Sequence, residues 1–378
     1  MCIRDSARTT PSARSALYCL LESMNVGPGD EVIVTGYTCS AVPEAVIYRG
    51  AKPIYCDISI ENFSMNIDLI TQLISEKTKV IIAQHTYGFA LDMTELSRLT
   101  KEKDIYLIED CALSLGSRDS ETLLGSYGDG AIFSFELSKT ISVGWGGIVH
   151  INHDNDLKEA LDKSIKYRFD KDKFFGSQRL FQGGLSGLLY RPVMYYFFKI
   201  FIQIMFKLKV FKSSSLNPEG KKQLPENFFS ELPDIQWYFL LKQYMRLEES
   251  ILVRSEKTRM IKDELIKAGI SQPFFENINK NISLIRFPIL VQNKTFLINK
   301  FKDNGIEVGS WFHQPVSTSA SMSLYDYEKE SCNVAERTGK QILNLPINSR
   351  VKDKEICSMI KILIDYFDEF PDEKIFFT

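Results

Sequence analysis

Lys139 and Asp110 stand where two successive strands are expected to end. Lys139 closes the run Ala131-Ile-Phe-Ser-Phe-Glu-Leu-Ser-Lys139, and Asp110 closes the apolar run Ile105-Tyr-Leu-Ile-Glu-Asp110. A pyridoxal phosphate (PLP) enzyme needs an acid and a lysine in such positions, because the acid keeps the pyridine nitrogen protonated and the lysine forms a Schiff base. The simpler alternative is that both are ordinary charged residues where strands of an α/β protein meet solvent.

A phosphate group would need a site of its own, and the start of the first predicted helix offers one. The segment Pro11-Ser-Ala-Arg-Ser15 supplies hydroxyl groups just before and inside that helix. Backbone N–H groups at a helix start, together with the helix dipole, attract a dianion. Ser134 is a second candidate donor to a phosphate. The alternatives are a helix N-cap at the first position and an ordinary strand hydroxyl at the second.

The elements that must position these residues alternate between strands and helices over the first two-thirds of the chain. We predict helices at 15–24, 40–48, 69–75 and 93–103, and strands at 31–34, 52–57, 79–83 and 105–110, with another strand near 135. This alternation predicts an α/β fold with a mainly parallel sheet. Ligands of such sheets bind at the carboxyl ends of the strands. His85, Asp110 and Lys139 all lie at or shortly after such ends.

The C-terminal part indicates a second, smaller unit. We predict one long helix from Pro233 to about Lys267, strands at 283–291 and 307–310, and helices at 295–304, 333–343 and 353–370. This pattern predicts a small α+β domain over 246–378, packed on a large domain over 7–245 that carries an apolar insert at about 185–212.

Composition excludes several classes of function. The 378 residues carry 46 Lys+Arg and 48 Asp+Glu, so no basic surface for nucleic acid is expected. The seven cysteines show no paired spacing, which indicates reduced thiols in a cytoplasmic protein. None of the four histidines has the spacing of a metal site, and we predict no metal.

Two segments stand apart from this pattern. Met1-Cys-Ile-Arg-Asp-Ser6 lacks the features of a signal peptide and indicates a truncated N-terminus. The insert at 185–212 is rich in aromatic and aliphatic residues, but its uninterrupted apolar stretches are shorter than the ~20 residues of a membrane span. It predicts either a helical hairpin packed on the protein or an amphipathic segment at the inner face of the membrane.

The order of motifs along the chain resembles the DegT/StrS-type aminotransferases, PLP enzymes that act on nucleotide-linked keto sugars. The matching segments include Gly27-Pro-Gly-Asp-Glu-Val-Ile-Val34, His85-Thr-Tyr-Gly88, Ile108-Glu-Asp-Cys-Ala112, Gly125-Ser-Tyr-Gly-Asp129, Phe133-Ser-Phe135, Lys139, Gly146-Gly147, Ile306-Glu-Val-Gly-Ser-Trp-Phe-His-Gln-Pro-Val316 and Leu343-Asn-Leu-Pro-Ile347. Each motif is weak alone, but together they cover most of the chain outside 151–229.

The resemblance implies the type I aminotransferase fold and a homodimer with shared active sites. It implies that Lys139 is the Schiff-base lysine and moves the proton, and that Asp110 pairs with the pyridine nitrogen. The phosphate would be held by three further residues of the motifs, namely Ser134, Arg14 and Ser15. His313 and His85 would lie near the substrate, with a structural role for His313 equally open.

Two positions depart from the family pattern. Cys39 stands where family members carry an aromatic residue stacked on the cofactor ring, and Leu113 stands where they carry a glutamine. Cys39 would therefore contact the cofactor with a smaller face, unless another side chain covers the ring. These changes indicate a divergent branch of the family.

Three functions remain open at this point. The first is an aminotransferase that moves an amino group, with glutamate as the expected donor, onto a nucleotide-linked keto sugar for surface glycan or polysaccharide biosynthesis. The second is a sugar dehydratase of the same family, in which histidine typically replaces the lysine. The third is a non-catalytic protein that keeps the fold for binding.

Overall fold

A seven-stranded sheet organises the N-terminal half of the chain in the computed structural model. The strands of this half are β1 (Ala7–Thr10), β2 (Glu31–Thr35), β3 (Thr38–Cys39), β4 (Lys52–Cys56), β5 (Thr78–Gln84), β6 (Tyr106–Asp110), β7 (Arg118–Asp119), β8 (Thr122–Leu123), β9 (Gly130–Ser134) and β10 (Gly147–Ile151). The order in the large sheet is β1-β10-β9-β6-β5-β2-β4. The five strands from β9 to β4 are parallel, and β10 and β1 add an antiparallel edge.

The structure describes residues 6–152, 154–169, 204–205, 224–225, 228–317 and 322–375. The predicted insert at 185–212 lies outside these residues except for Ile204 and Met205. Among the described helices, none is both long enough and apolar enough to cross a membrane.

Helices cover both faces of the sheet, as a parallel sheet requires. They are α1 (Ala13–Ser23), α2 (Ala41–Tyr48), α3 (Ile67–Leu73), α4 (Met93–Glu102) and α5 (Asn155–Arg168). One apolar cluster joins α1, α2 and α5 to one face, and a second joins α3 and α4 to the other. The predicted α/β class with a mainly parallel sheet is thereby confirmed.

The C-terminal lobe is smaller and mixed in structure. Its elements are α6 (Asp234–Tyr244), α7 (Leu247–Lys267), β11 (Phe287–Leu290), α8 (Lys294–Asp303), β12 (Val316–Ser317), α9 (Asn333–Gln341), β13 (Ile342–Leu345) and α10 (Asp353–Glu369). Strands β11 and β13 pair antiparallel, and β12 pairs parallel with β3 of the other lobe. One apolar cluster includes Tyr37, Phe63 and Tyr87 together with Phe274 and Phe287, so the two lobes share a core. The exact division at 245/246 stays a prediction.

Two predicted elements of this lobe are wrong, and a third is shorter than predicted. The single helix over 233–267 is two helices, because a turn at Met245 and Arg246 lies between α6 and α7 and the backbone of Arg246 is not helical. No strand forms over 307–310, where only Gly309 bridges Asn344. The helix predicted over 333–343 ends at Gln341, because the next residues pair with β11.

Asp57 ties the lobes together at the start of α9. Its Oδ2 accepts the N–H of Val334 at 2.8 Å, and its Oδ1 accepts the N–H groups of Ala335 at 2.9 Å and Ile58 at 2.8 Å. The residue at the helix's own N-cap position, Cys332, makes no side-chain cap. The cap of α9 is therefore a carboxylate from the other lobe, and the two bonded residues Asp57 and Val334 are 277 positions apart in the sequence.

We expect Asp57→Ala to lower the free energy of unfolding by about 1–2 kcal/mol, the usual effect of losing a helix cap. Urea denaturation followed by circular dichroism measures this change. Asp57→Asn is the matched control, because its amide oxygen still accepts one N–H, and we expect a smaller loss. Equal stability of wild type and Asp57→Ala would show that the cross-lobe cap contributes nothing.

Candidate active site

A cavity of about 270 Å³ lies at the carboxyl ends of the parallel strands, where the two lobes meet. Its lining includes Ser12, Ala13, Arg14, Cys39, Gln84, Asp110, Leu113, Ser134, Glu136, Lys139, Trp145, Trp311 and Phe312. A more open groove between α7 and α10 contains neither the lysine nor the aspartate. The cavity therefore brings together five of the eight predicted site residues: Lys139, Asp110, Ser134, Arg14 and Cys39.

Asp110 reaches the cavity because β6 ends there in register with its neighbours. It pairs with Gln84 of β5 and with Ile132 of β9. The side chain is buried, and its Oδ1 accepts the Ala112 N–H at 2.9 Å. Its Oδ2 has no hydrogen bond with any described residue. Burial raises the pKa of Asp110, and the Ala112 N–H and the charge of Lys139 offset only part of that rise.

Lys139 belongs to the loop that follows β9. The Lys139 N–H donates to Glu136 O at 3.0 Å and closes a turn. Helix α6 holds the far side of this loop, since Gln236 Nε2 donates to Val143 O and Gln243 Oε1 accepts the Ser142 N–H. The amine itself makes no hydrogen bond or ion pair with the described residues. Its Nζ lies 5.5 Å from the centre of the Trp311 ring system.

The first turn of α1 forms another wall of the cavity. Ser12, Ala13 and Arg14 line it together with Ser134 of β9. Strand β10 packs directly on this turn, because a Cβ at Gly147 would come within 2.5 Å of the Ala13 nitrogen. The backbone N–H groups and the dipole at a helix start favour an anion, and the two serine hydroxyls can donate further hydrogen bonds to it.

Ser15 does not line the cavity. Its side chain is buried and completes a capping box with Ser12: the Ser15 hydroxyl accepts the Ser12 N–H at 3.0 Å, and the Ser12 hydroxyl accepts the Ser15 N–H at 3.1 Å. Ser12 is the N-cap of α1 and Ser15 closes the capping box, which is the alternative that the sequence left open. Ser12, which belongs to the same predicted helix-start segment, lines the cavity in place of Ser15.

Arg14 and Cys39 are both held in place by their neighbours. Arg14 Nε lies 2.9 Å from Glu44 Oε2, and Glu44 also accepts the Tyr325 hydroxyl at 3.0 Å. The positive charge of Arg14 therefore reaches the cavity from a fixed, buried ion pair. Burial raises the pKa of the Cys39 thiol, with only partial offset by a backbone hydrogen bond and by the charges of Arg14 and Lys139. Cys39 thus presents a small, neutral surface.

The two histidines predicted near the substrate do not line this cavity. His85 is fully buried, and its Nε2 lies 3.2 Å from Glu109 Oε2. Glu109 also accepts N–H groups from Gly125, Tyr127 and Gly128 at 2.7–2.9 Å. His85, Glu109 and Cys111 are close enough to hold a metal ion, but these hydrogen bonds already occupy the carboxylate oxygens. The group anchors β6 to the turn before β9.

His313 lies on the exposed side of the C-terminal lobe, where its Nδ1 is 3.4 Å from the Ser317 hydroxyl. Burial lowers the pKa of His313, and the charge of Lys294 lowers it further. The imidazole is therefore a neutral group beside the segment that forms the cavity wall, and the structure does not bring it to Lys139.

Sequence reasoning missed the aromatic wall and one polar anchor. Trp145, Trp311 and Phe312 line the cavity, although none had been singled out. Gln84 is buried at the end of β5; its Nε2 donates to Tyr37 O and Thr86 Oγ1, and its Oε1 accepts the Thr38 hydroxyl. The apolar runs gave no signal for these residues, because their place in the cavity depends on how the chain folds and not on a local sequence pattern.

The family model for the DegT/DnrJ/EryC1/StrS aminotransferases matches residues 3–179 and 203–363. The chain belongs to this family. The resemblance seen in the sequence motifs is thereby confirmed.

Curated relatives of this family member align over less than half of their length. GDP-perosamine synthase of Escherichia coli O157:H7 is 39% identical over 43% of this chain and 43% of its own. UDP-N-acetyl-3-dehydro-alpha-D-glucosamine 3-aminotransferase of Acidithiobacillus ferrooxidans is 37% identical over 40% of this chain and 41% of its own.

Solved structures show the same fold at low identity. DesV of S. venezuelae aligns with a TM-score of 0.73 at 22% identity, covering 97% of this chain and 85% of its own. NtdA of Bacillus subtilis, solved with bound cofactor PMP, aligns with a TM-score of 0.70 at 20% identity, covering 95% and 73%. The predicted aminotransferase fold is confirmed.

The cavity of this family member fits pyridoxal phosphate on three independent grounds. Asp110 Oδ2 lacks a partner among the described residues and suits a protonated ring nitrogen. Lys139 lines the same cavity, and within the described part of the chain its amine has no hydrogen bond or ion pair. The start of α1, with Ser12 and Ser134, suits a phosphate dianion.

We expect Asp110→Asn to make the protein without cofactor more stable at neutral pH, because the substitution removes a buried charge. The pKa of Asp110 is raised on folding, so the carboxylate costs no stability at low pH, where it is protonated. The cost appears as the pH rises from the unfolded pKa of about 4 through the raised folded value. Thermal melts from pH 4 to pH 8 should therefore show a growing advantage of the variant, which then levels off.

The exposed Asp263→Asn is the control for this experiment, and its melting temperature should follow that of wild type at every pH. A variant Asp110→Asn that is less stable than wild type at pH 8 would contradict the burial cost described here.

Proposed function

We propose that this chain is a PLP-dependent aminotransferase that transfers an amino group to a nucleotide-linked keto sugar. The observation that carries the proposal is the meeting of Lys139 and Asp110 in one cavity at the ends of parallel strands. Membership of an aminotransferase family supports the same activity. When bound there, pyridoxal phosphate would supply the carbonyl that receives the amino group and the electron sink that stabilises charge at the reacting carbon.

In this proposal each group of the chain has a defined task. Lys139 Nζ takes and returns the proton at the substrate carbon that gains or loses the amino group. The ionised Asp110 holds a proton on the ring nitrogen, and that cation in turn offsets the burial cost of the carboxylate. Ser12, Ser134 and the start of α1 hold the phosphate, and the guanidinium of Arg14 adds positive charge at that end.

The substrate class rests on the relatives. Two of them are named as a GDP-perosamine synthase and as an aminotransferase of a UDP-linked dehydro sugar. We infer a nucleotide-linked keto sugar as acceptor, glutamate as donor, and a role in the biosynthesis of a surface glycan or polysaccharide. The intact lysine supports amino transfer over dehydration and over a purely binding role.

The proposal includes a homodimer in the cytoplasm. Helix α6, which holds the lysine loop, exposes Tyr238, Leu241 and Tyr244, and Met245 at its C-cap is exposed as well. A second copy would cover this apolar face. The six described cysteines are unpaired, in keeping with a reducing compartment. Sedimentation velocity tests the dimer, and a species of about 43 kDa alone would contradict it. Membrane contact through 185–212 stays a prediction.

The direct test is reduction of the protein with borohydride in the presence of PLP, followed by peptide mass spectrometry. We expect the label on Lys139 of wild type and none in Lys139→Ala. Lys294→Ala is the matched control, because burial lowers the pKa of Lys294 and makes its amine a competing nucleophile. This variant should label like wild type.

The same samples test the activity. Wild-type protein with PLP should lose its yellow colour when glutamate is added, and Lys139→Ala should lose amino transfer by several orders of magnitude. Label on a different lysine would overturn the site. Protein that takes up no PLP would overturn the proposed function.

A further inference from the structure

Trp311 stands at the wall of the cavity that faces the reactive amine. Its ring system lies 5.5 Å from Lys139 Nζ, and the side chain is only partly buried. The guanidinium carbon of Arg286 lies 4.8 Å from the same ring. The indole thus has a cation from each lobe close to it, and part of its surface remains available in the cavity.

Two tyrosines of the N-terminal half fix the backbone that carries this indole. The Tyr37 hydroxyl donates to Phe312 O and accepts the Phe312 N–H, both at 3.0 Å. The Tyr87 hydroxyl donates to Trp311 O and lies 2.9 Å from the Tyr37 hydroxyl. From the C-terminal lobe, Asn344 Oδ1 accepts the Trp311 N–H at 2.6 Å.

These contacts make a rigid support, because both tyrosines are fully buried. Burial raises the pKa of Tyr37 and of Tyr87, so both hydroxyls stay protonated and keep their donor role. Losing one hydroxyl would leave buried polar groups without partners, which is costly. The position of Trp311 is therefore fixed by groups that belong to both lobes.

The rest of the cavity lacks a comparable aromatic surface. Cys39 contributes a small thiol and Leu113 a branched aliphatic group. Phe312 is buried and packs edge-on against Tyr37 at 5.3 Å, while Trp145 is 6% exposed. Of these three aromatic residues Trp311 is the most exposed, and its ring system lies 5.5 Å from Lys139 Nζ.

We propose that Trp311 is the aromatic wall against which the flat ring of the bound cofactor packs, in place of the residue that Cys39 does not supply. Tyr37 and Tyr87 are positioning residues that hold this wall. The inference rests on the proposed function. In the family pattern the residue after Thr38, here Cys39, makes the aromatic contact with the cofactor ring. The proposal assigns this contact to a residue of the C-terminal lobe.

The test measures the dissociation constant of PLP by absorbance, together with the induced circular dichroism of the bound cofactor. We expect Trp311→Leu to raise the dissociation constant about tenfold, because an aromatic contact is lost with its buried area. Trp311→Phe should change it less than about threefold. Phe296→Leu, an aromatic-to-leucine change on the surface of the C-terminal lobe, is the matched control and should bind like wild type.

A rescue experiment separates a direct contact from a general loss of structure. Adding Cys39→Phe to Trp311→Leu should recover most of the lost affinity, because it restores an aromatic group to the cavity. Tyr87→Phe should weaken binding and change the induced circular dichroism, because the indole is less well fixed. The melting temperature of each variant without cofactor shows whether it is folded.

The outcomes distinguish this inference from the proposed function. If wild type binds PLP on Lys139 and folded Trp311→Leu binds it with unchanged affinity and circular dichroism, the aromatic wall is overturned and the function stands. If Cys39→Phe fails to recover any affinity in folded Trp311→Leu, the proposed replacement is also overturned. If wild type binds no PLP, the proposed function itself fails.

Discussion

A carboxylate buried at the end of a central strand is the constraint around which this structure is arranged. Asp110 is 5% exposed and has one N–H partner, so its charge is poorly compensated within the chain. A buried carboxylate of this kind is costly unless an opposite charge or further hydrogen bonds compensate for the hydration that it loses. The amine of Lys139, the hydroxyls of Ser12 and Ser134 and the indole of Trp311 line the same cavity as this carboxylate. They make the cavity fit a cationic, flat and phosphorylated group.

The strand that carries Asp110 also explains how the cavity keeps its shape. Successive side chains of a strand point to opposite faces, so Glu109 points away from the direction of Asp110. Glu109 accepts three N–H groups of the turn before β9 and pairs with His85, and these bonds lower its pKa against the opposing effect of burial. Asp110 therefore faces the cavity, whereas Glu109 holds β6 to the turn before β9. Strand β9 and the loop after it place Ser134 and Lys139 in the same cavity as Asp110.

The sequence predicted the part of the molecule that depends on local patterns. The strand ends at Asp110 and near Ser134 follow from short apolar runs between helices, and the parallel sheet follows from their spacing. What it could not predict depends on contacts between distant residues. The start of Ile342–Leu345, for example, was predicted as the end of helix α9, but the whole segment forms β13, which pairs with β11. Trp311 and Ser12 acquire their place from the other lobe and from β10. His85 and His313 were expected near the substrate from the family resemblance, and His85 also from its place after a strand end.

The support of Trp311 has a consequence for the order in which a working protein arises. Its backbone is held by residues 224 and 275 positions earlier in the chain, and by Asn344, 33 positions later. During synthesis the sheet, Asp110 and Lys139 leave the ribosome long before that wall can close over them. Under the proposed assignment of Trp311, the cofactor site is therefore complete only after the chain has been made at least as far as Asn344.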